Sequence, residues 1–489
     1  MNLSALFKGL KHELVGEDKD IVKLAHNSKE ITKGSLFFCL NGSKTKGSLY
    51  LFEAIESGCE AVCLDRDEYD KIQDVLIETN ISFVIVDDVR DSLGYVCNNF
   101  YCANRFDFKL VGITGTNGKT TISFMIANAL QVAGYSVAVV GTSGIFINGD
   151  MIRGEGLTTP DPIDLYDILS FFYNVDVDFV IMEVSAHALA LKKVNGLIFD
   201  YGIFTNLTED HLDFFKDMKT YGNAKESFFN KVKIGVFNVD DNFGEELFKK
   251  FNSKKFAVSK SNGDYVYRRI KSGCKIISKS KHTVLKYGLK GEYNAANATE
   301  AYAVISDIVQ DNRVIKRAFK TMPKINGRYN EFESKNHGKI ILDFAHTPDG
   351  LEKILTSAKE SLKSGCKLIS VFGCGGNRDK EKRAIMGKVS GTISDYTIIS
   401  IDNPRFESAE SVMADVERGI KTITNNYNII MPRENAIRHA FLSSKPGDII
   451  VVSGKGMEPY YEVNGYKHIY REDVVIKTII ERYDKKERV

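Results

Sequence analysis

The chain has 489 residues, well beyond the roughly 100–200 of a single domain, so two or three domains are expected. Its 43% hydrophobic and 27% charged residues are those of a soluble globular protein. Lys and Arg number 66 against 64 Asp and Glu, and this net charge of +2 excludes a nucleic-acid tract or a polybasic membrane anchor as the main business. The eight cysteines form no CxxC pair, which leaves a zinc ribbon, a thioredoxin-like motif and a disulfide framework unsupported. The first residues, MNLSALFKGLKHELVGEDKD, lack the apolar core of a signal peptide, and no run reaches the roughly 20 apolar residues of a membrane helix. A soluble, cytoplasmic protein with neither nucleic acid nor membrane as partner is the expectation.

In chain order, residues 1–104 read as a small unit with short strands such as SLFFCL (35–40). From Lys109 onward β-rich runs alternate with helical stretches, the pattern of a parallel sheet covered by helices. The runs are FKLVGIT (108–114), SVAVVGT (136–142), DFVIMEVS (178–185), YGIFTNL (201–207) and KIGVFNVD (233–240). They are apolar on both alternations, as strands buried on two faces are. A helical stretch, 294–310, precedes a second series: KIILDFAHT (339–347), CKLISVFGC (366–374), YTIISIDNP (396–404) and DIIVVSG (448–454). Helical patterns lie at 348–363 and 408–423, and an amphipathic helix is expected over 471–486. The class is α/β in three domains, 1–104, 105–328 and 329–489, with the second break near Asn326–Tyr329.

The strongest chemical signal is VGITGTNGKTTISFMIANAL (111–130). A buried strand runs into Gly115, Thr116, Asn117, Gly118, Lys119, Thr120 and Thr121, where a helix begins. The glycines let backbone N–H groups turn toward phosphate oxygens, and the helix N-terminus adds partial positive charge. Lys119 can reach the terminal phosphates and the Thr120 hydroxyl can ligate Mg²⁺. The strict GxxxxGK[ST] pattern fails at its first position, occupied by Ile113. ATP binding by a P-loop-like central domain is expected, although the loop alone names no reaction.

With that loop as anchor, the chain resembles the Mur ligase family, enzymes that add amino acids to UDP-N-acetylmuramic acid. The agreement runs in order through TTPDP (158–162), MEVSAHAL (182–189), TNLTEDHLD (205–213), YGNAK (221–225), NVDD (238–241), GEYNAAN (291–297), NGRY (326–329), DFAHTPDG (343–350), GCGGNRDKEKR (373–383), DNPR (402–405) and SGKGME (453–458). TNL–DHLD, DFAHTPD and DNPR point to the members that add the third residue of the stem peptide. The resemblance implies a uridine-binding first domain, a central ATPase domain and a Rossmann-like third domain. It also implies activation of a carboxylate by ATP to an acyl phosphate, which an amine then attacks.

Residue by residue, the resemblance implies that Thr120, Glu183 and His211 hold Mg²⁺, two ions in all. Taken alone, Glu183 can be read as a helix cap, and His211 is better read as a hydrogen-bonded loop residue. Lys225 occupies the position of a lysine carbamylated by CO₂, and uptake of CO₂ requires the uncharged amine. Asn297, Arg328 and Asp343 match the residues around ATP. Ser28, Thr158, Thr159, Ser185 and Lys193 match the UDP-muropeptide set. Arg378, Asp402, Asn403, Pro404, Arg405, Gly454 and Glu458 match the amino-acid contacts. Arg405 favours meso-diaminopimelate over L-lysine, because a planar guanidinium suits the extra carboxylate. Departures fall among the substrate contacts: Lys46-Gly47-Ser48 for Asp-Gly-His, Ala186 for a serine, Leu191 for a glutamine, Lys193 for an arginine, Phe214-Phe215-Lys216 for Tyr-His-Gly and Met457 for a histidine. L-lysine or another amino acid on the same acceptor, a divergent paralogue using another carboxylate, and a non-catalytic nucleotide switch are the alternatives.

Overall fold

The computed structural model describes residues 1–42, 45–76, 80–154, 156–278 and 281–484. The chain forms two compact units, each built from several segments. The first contains Met1–Gly112, Tyr135–Gly202 and Ser227–Lys233; the second contains Ile113–Gly134, Ile203–Glu226 and Ile234–Val489. Among the described residues no helix is long and apolar enough to cross a membrane.

In the first unit, five strands lie in the order His12–Val15, Ser82–Val86, Cys59–Asp65, Ser35–Phe38 and Lys23–Ala25, antiparallel only at the first pair. Phe37, Val62, Leu64 and Phe83 meet Leu51 and Ala54 of the helix Leu51–Glu56 in one apolar cluster. The helix Val89–Phe100 starts where Asp88 accepts the amide N–H of Asp91, and Gly94 on it leaves no room for a Cβ against the Asn195 backbone. Further along, Phe179–Glu183 runs parallel to Val137–Gly141, followed by a hairpin of Gly144–Ile147 and Asp150–Arg153. That hairpin escapes the hydrophobic pattern because its second strand is fully exposed.

The second unit carries the C-terminal sheet, ordered Asn330–Phe332, Lys339–Asp343, Ile449–Ser453, Leu368–Phe372, Tyr396–Ile399 and Tyr427–Ile429, antiparallel only at the first pair. Its near-continuous apolar runs follow from burial on both faces. Ile341, Ile449 and Val451 pack with Leu351, Met386 and Val412 on one side. Ile340, Leu342, Ile450 and Val452 pack with Ile437, Phe441 and Ile476 on the other. Ile449–Ser453 inserts between two strands that precede it in the chain, so the order reverses there and a crevice forms beyond the carboxyl ends of the strands. Asp343 closes its strand at that edge, and Gly373–Arg378, Asp402–Arg405 and Gly454–Glu458 follow the ends of theirs.

Expected runs prove longer than the strands they announce. Residues 366–374 shorten to Leu368–Phe372 and 201–207 become Phe199–Phe204, because Thr205 and Asn206 leave the ladder to hold a loop. The last helix is Glu472–Asp484, and residues 485–486 of the expected span lie outside the described residues. Three strands, Tyr265–Ile270, Gly273–Ser278 and His282–Lys286, extend the parallel pair of Val232–Asn238 and Lys254–Ser259. Their sequences, YVYRRI, GCKIIS and HTVLK, mix apolar and polar residues without the continuous apolar run that marks the other strands.

Candidate active site

The phosphate loop lies between the strand Lys109–Thr114 and the helix Lys119–Val132. Gly115 and Gly118 have φ of +142° and +95°, a region that residues with a Cβ reach only under strain. A Cβ on Gly118 would also sit 2.6 Å from Asn297 Oδ1. The loop is held from outside. Thr205 Oγ1 donates to the Asn117 carbonyl at 2.6 Å, the Asn117 amide N–H donates to Asn206 Oδ1 at 3.0 Å, and Thr116 Oγ1 donates to the Thr208 carbonyl at 3.1 Å. Lys119 Nζ donates to the carbonyls of Gly115 and Thr116, each at 2.9 Å. Thr121 is buried in the first turn.

Arg328 reaches this loop across 208 residues of sequence and donates from Nη2 to Thr120 Oγ1 at 2.9 Å. Its guanidinium stacks 4.8 Å over the Phe344 ring. Asp343 ends its strand and accepts the amide N–H groups of Tyr329 (2.8 Å) and Ala345 (2.9 Å). Burial raises its carboxyl above the usual range, against the pull of Arg328. Asn297, on the helix Glu292–Ile308, donates to Asn294 Oδ1 at 3.1 Å.

Lys225 is fully buried on the helix Met218–Glu226, its Nζ 4.4 Å from the Tyr221 ring centroid. Burial pushes its ammonium well below the usual lysine value, and the positive charge of Lys119 adds to the effect. The side chain is therefore disposed to be an uncharged amine. His211, with φ +59°, starts the short helix Leu212–Phe215 and stands 3.3 Å from Asp210.

Asp210 itself escaped the sequence reading. It is 3% exposed and gathers Lys382 Nζ at 3.0 Å and His346 at 3.8 Å as well as His211. Burial alone would raise its carboxyl, but Lys382, His211 and His346 hold it well below the usual range. All four lie within the matched segments TNLTEDHLD, DFAHTPDG and GCGGNRDKEKR. Only the fold reveals that they meet, since Lys382 and Asp210 are 172 residues apart.

At the ends of the C-terminal strands, Lys455 Nζ is buried against Glu458 Oε2 (2.6 Å), Asn403 Oδ1 (3.2 Å) and Asp402 Oδ1 (3.4 Å). Asn403 Nδ2 also donates to Glu458 at 2.8 Å. Burial opposes ionisation of Asp402, yet Lys455 and Arg433 hold it below the usual carboxylate range. Gly454, at φ +114°, lets the chain pass Asp402. Arg405 follows Pro404 with φ +55°, a sparsely populated backbone region for a side chain of its size. Its Nη1 donates to the Gly376 carbonyl at 2.8 Å and its Nε lies 3.5 Å from Glu462. Arg378 is half exposed, 3.8 Å from Asp213. Met457 packs on the apolar layer of Ile340 and Val452.

Arg433 braces this rim from beneath. It pairs with Glu472 at 2.5 Å, both buried, and donates to the carbonyls of Ile401 (3.1 Å) and Ser453 (2.7 Å). Arg433→Met is expected to cost about 3–5 kcal/mol, since Glu472 is left buried and unpaired. Thermal unfolding of the two proteins measures it, and an unchanged midpoint would contradict the bracing role.

In the first unit, Glu183 ends its strand and is 1% exposed. Thr142 donates to it from its backbone N (3.3 Å) and Oγ1 (3.1 Å), and Thr158 Oγ1 lies 3.0 Å from Thr142 Oγ1. Thr159 Oγ1 donates to the Glu183 carbonyl at 2.9 Å and accepts the Ser185 amide N–H at 3.1 Å. Ser185 caps the helix Ala186–Ala190, so it has a structural task as well. Lys193 pairs with Asp161 at 2.9 Å. Ser28 donates to Glu53 at 2.9 Å. The departures Lys46 and Ser48 both bind Glu68, at 2.9 and 2.8 Å, and with Lys71 they pull its carboxyl down to about 2.

Among the described residues no group of three or more His, Cys, Asp or Glu side chains gathers to hold a metal ion. A hard oxygen donor such as the Thr120 hydroxyl suits Mg²⁺, which takes one or two protein ligands and completes its shell with phosphate and water.

Residues 113–305 match the Mur ligase middle domain, and residues 327–456 the Mur ligase glutamate ligase domain. The UDP-N-acetylmuramoyl-L-alanyl-D-glutamate--2,6-diaminopimelate ligase of Clostridium botulinum is 36% identical over 98% of this chain and 99% of its own. The ligase of the same name from Clostridioides difficile is 34% identical over 97% and 98%. A solved structure of a ligase of that name superposes with a TM-score of 0.67 at 25% identity, covering 99% of both chains. MurF ligase from Thermotoga maritima, solved with ADP, shares the fold at 17% identity, with a TM-score of 0.63 over 95% of this chain and 98% of its own. The chain belongs to the Mur ligase family of ATP-dependent, Mg²⁺-using amide-forming enzymes.

Proposed function

We propose that this protein adds meso-diaminopimelate to UDP-N-acetylmuramoyl-L-alanyl-D-glutamate, with conversion of ATP to ADP and phosphate, in the synthesis of peptidoglycan precursors. The observation that carries the reading is Arg405. It follows the strand Tyr396–Ile399 in the segment Asp402–Arg405, two residues after Asn403, whose side chain donates to Glu458 at 2.8 Å. An ATP-family loop explains activation, but only a cation in that segment explains the choice of an amino acid with a second carboxylate.

The reaction divides among the residues as follows. Lys119 and the amides of Gly115–Thr121 hold the phosphates of ATP, and Arg328 closes on the loop at Thr120. Asn297 and Asp343 hold the nucleoside. The acceptor carboxylate attacks the γ-phosphorus and ADP leaves. The amine of the amino acid then attacks the acyl phosphate, and phosphate departs from the tetrahedral intermediate. Lys119 meets the charge that moves in the first step, where positioning and electrostatics supply most of the catalysis. Mg²⁺, two ions when bound, spreads the charge of the transferring phosphoryl group, and the side chains assigned to it are Thr120, Glu183, His211 and a carbamate on Lys225. Ser28, Thr158, Thr159, Ser185 and Lys193 take the UDP-muropeptide. Arg378, Asp402, Asn403, Pro404, Arg405, Gly454 and Glu458 take the amino acid, with Asn403 and Lys455 holding Glu458 ready for a distal ammonium. Residues 1–104, 105–328 and 329–489 serve as uridine, ATP and amino-acid domains of a cytoplasmic monomer.

Paired kinetics with meso-diaminopimelate and L-lysine test the reading. The wild type is expected to favour meso-diaminopimelate by at least about 10²-fold in kcat/KM, and Arg405→Ala to lose most of that preference. Equal or better use of L-lysine by the wild type would overturn the assignment.

A further inference from the structure

We infer that Glu300 reads the 6-amino edge of the purine base of ATP, in a pocket of about 500 Å³ beside the phosphate loop. The inference rests on the reading above, that ATP occupies the loop. Tyr293, Asn297 and Glu300 all line this pocket from the helix Glu292–Ile308. Spaced four and three residues apart, they share one helical face. Asn297 touches the loop at Gly118, and Asn206 and Asp349, also in the lining, hold Asn117 at 3.0 and 2.8 Å. A nucleotide whose phosphates lie on Gly115–Thr121 therefore has this pocket open to its base.

Glu300 is 1% exposed, and its Oε2 has no hydrogen-bond partner. Buried polar atoms left unmet are rare in native proteins, and each one calls for an explanation. A structural role in the helix does not supply one, since the oxygen satisfies nothing there. A ligand that donates a hydrogen bond does. The wall also carries Asp240, Asp241 and Glu352 against Lys260 and Lys353, a mainly acidic lining that suits an exocyclic amine. Burial raises the Glu300 carboxyl well above its usual value, with Asp240 and Asp241 adding to it against Lys353. A neutral carboxyl offers one O–H donor beside one acceptor. Adenine presents the complement, an N6–H donor beside a ring-nitrogen acceptor.

The test is calorimetric binding to the full-length protein in Mg²⁺, comparing ATP with purine riboside triphosphate, which lacks the 6-amino group. The wild type is expected to bind ATP about tenfold or more tightly than the analogue. Glu300→Leu should bind the two alike, while Glu300→Gln, which keeps an acceptor beside a donor, should retain most of the preference. Where Glu300→Leu does not fold, Glu300→Ala takes its place. Equal binding of both nucleotides by the wild type, or an undiminished preference in Glu300→Leu or Glu300→Ala, would overturn the role of Glu300 and leave the ligase reading intact. Failure of the wild type to bind ATP at all would overturn both.

Discussion

Lys119→Ala is expected to remain folded and to release ADP on the order of 10³-fold more slowly than the wild type, from loss of electrostatic stabilisation of the transferring group. The structure shows how the lysine is prepared. Its ammonium is held by the carbonyls of Gly115 and Thr116, 2.9 Å from each, on the loop whose glycines leave room for phosphate. Alanine removes the cation but leaves the external ties through Thr205, Asn206 and Thr208 in place. The loop should keep its shape, and thermal unfolding should change little while turnover collapses. A variant with turnover within a few-fold of wild type would remove the loop from the chemistry.

Lys225→Ala is expected to be nearly inactive, and to recover part of its activity with formate or acetate. An ordinary buried lysine would be costly as a cation. Here burial and the charge of Lys119 disfavour the ammonium, and a neutral amine is the form that can take up CO₂. The carbamate so formed would be a hard oxygen ligand on a residue that otherwise offers none. A short carboxylate diffusing into the truncated site can supply that oxygen, whereas it cannot repair a packing defect. Full activity of Lys225→Ala, or an inactive variant on which no carboxylate has any effect, would count against the carbamate. Because Lys119 and Lys225 sense each other electrostatically, the double variant should show less than the sum of the two losses.

Much of this could be read in the sequence because local patterns carried it. The runs Lys339–Asp343 and Ile449–Ser453 announce strands buried on both faces, and the structure places their alternate residues in two separate apolar layers. The family was legible in ordered short motifs, and the full-length likeness to the 2,6-diaminopimelate ligases bears that out. What stayed hidden depends on distant partners. Asp210 looks like any acidic loop residue until Lys382 and His346 arrive beside it. Arg328 gave no sign that its partner would be Thr120. Glu300 sits in an alanine-rich helical stretch, where a glutamate is read as solvent-facing; only its burial reveals otherwise. Arg433 and Glu472, 39 residues apart, likewise carry no local signal of their pairing.

The central claim is that ATP is spent only in joining one acceptor to one amino acid. The direct measurement is ADP release by the wild-type protein in Mg²⁺, with UDP-N-acetylmuramoyl-L-alanyl-D-glutamate and meso-diaminopimelate supplied singly and together, and the product identified by mass. Sustained release is predicted only with both present, matched mole for mole by a product carrying one added diaminopimelate. Release of ADP at the same rate without the acceptor or the amino acid, or no ligated product with both, would contradict the account.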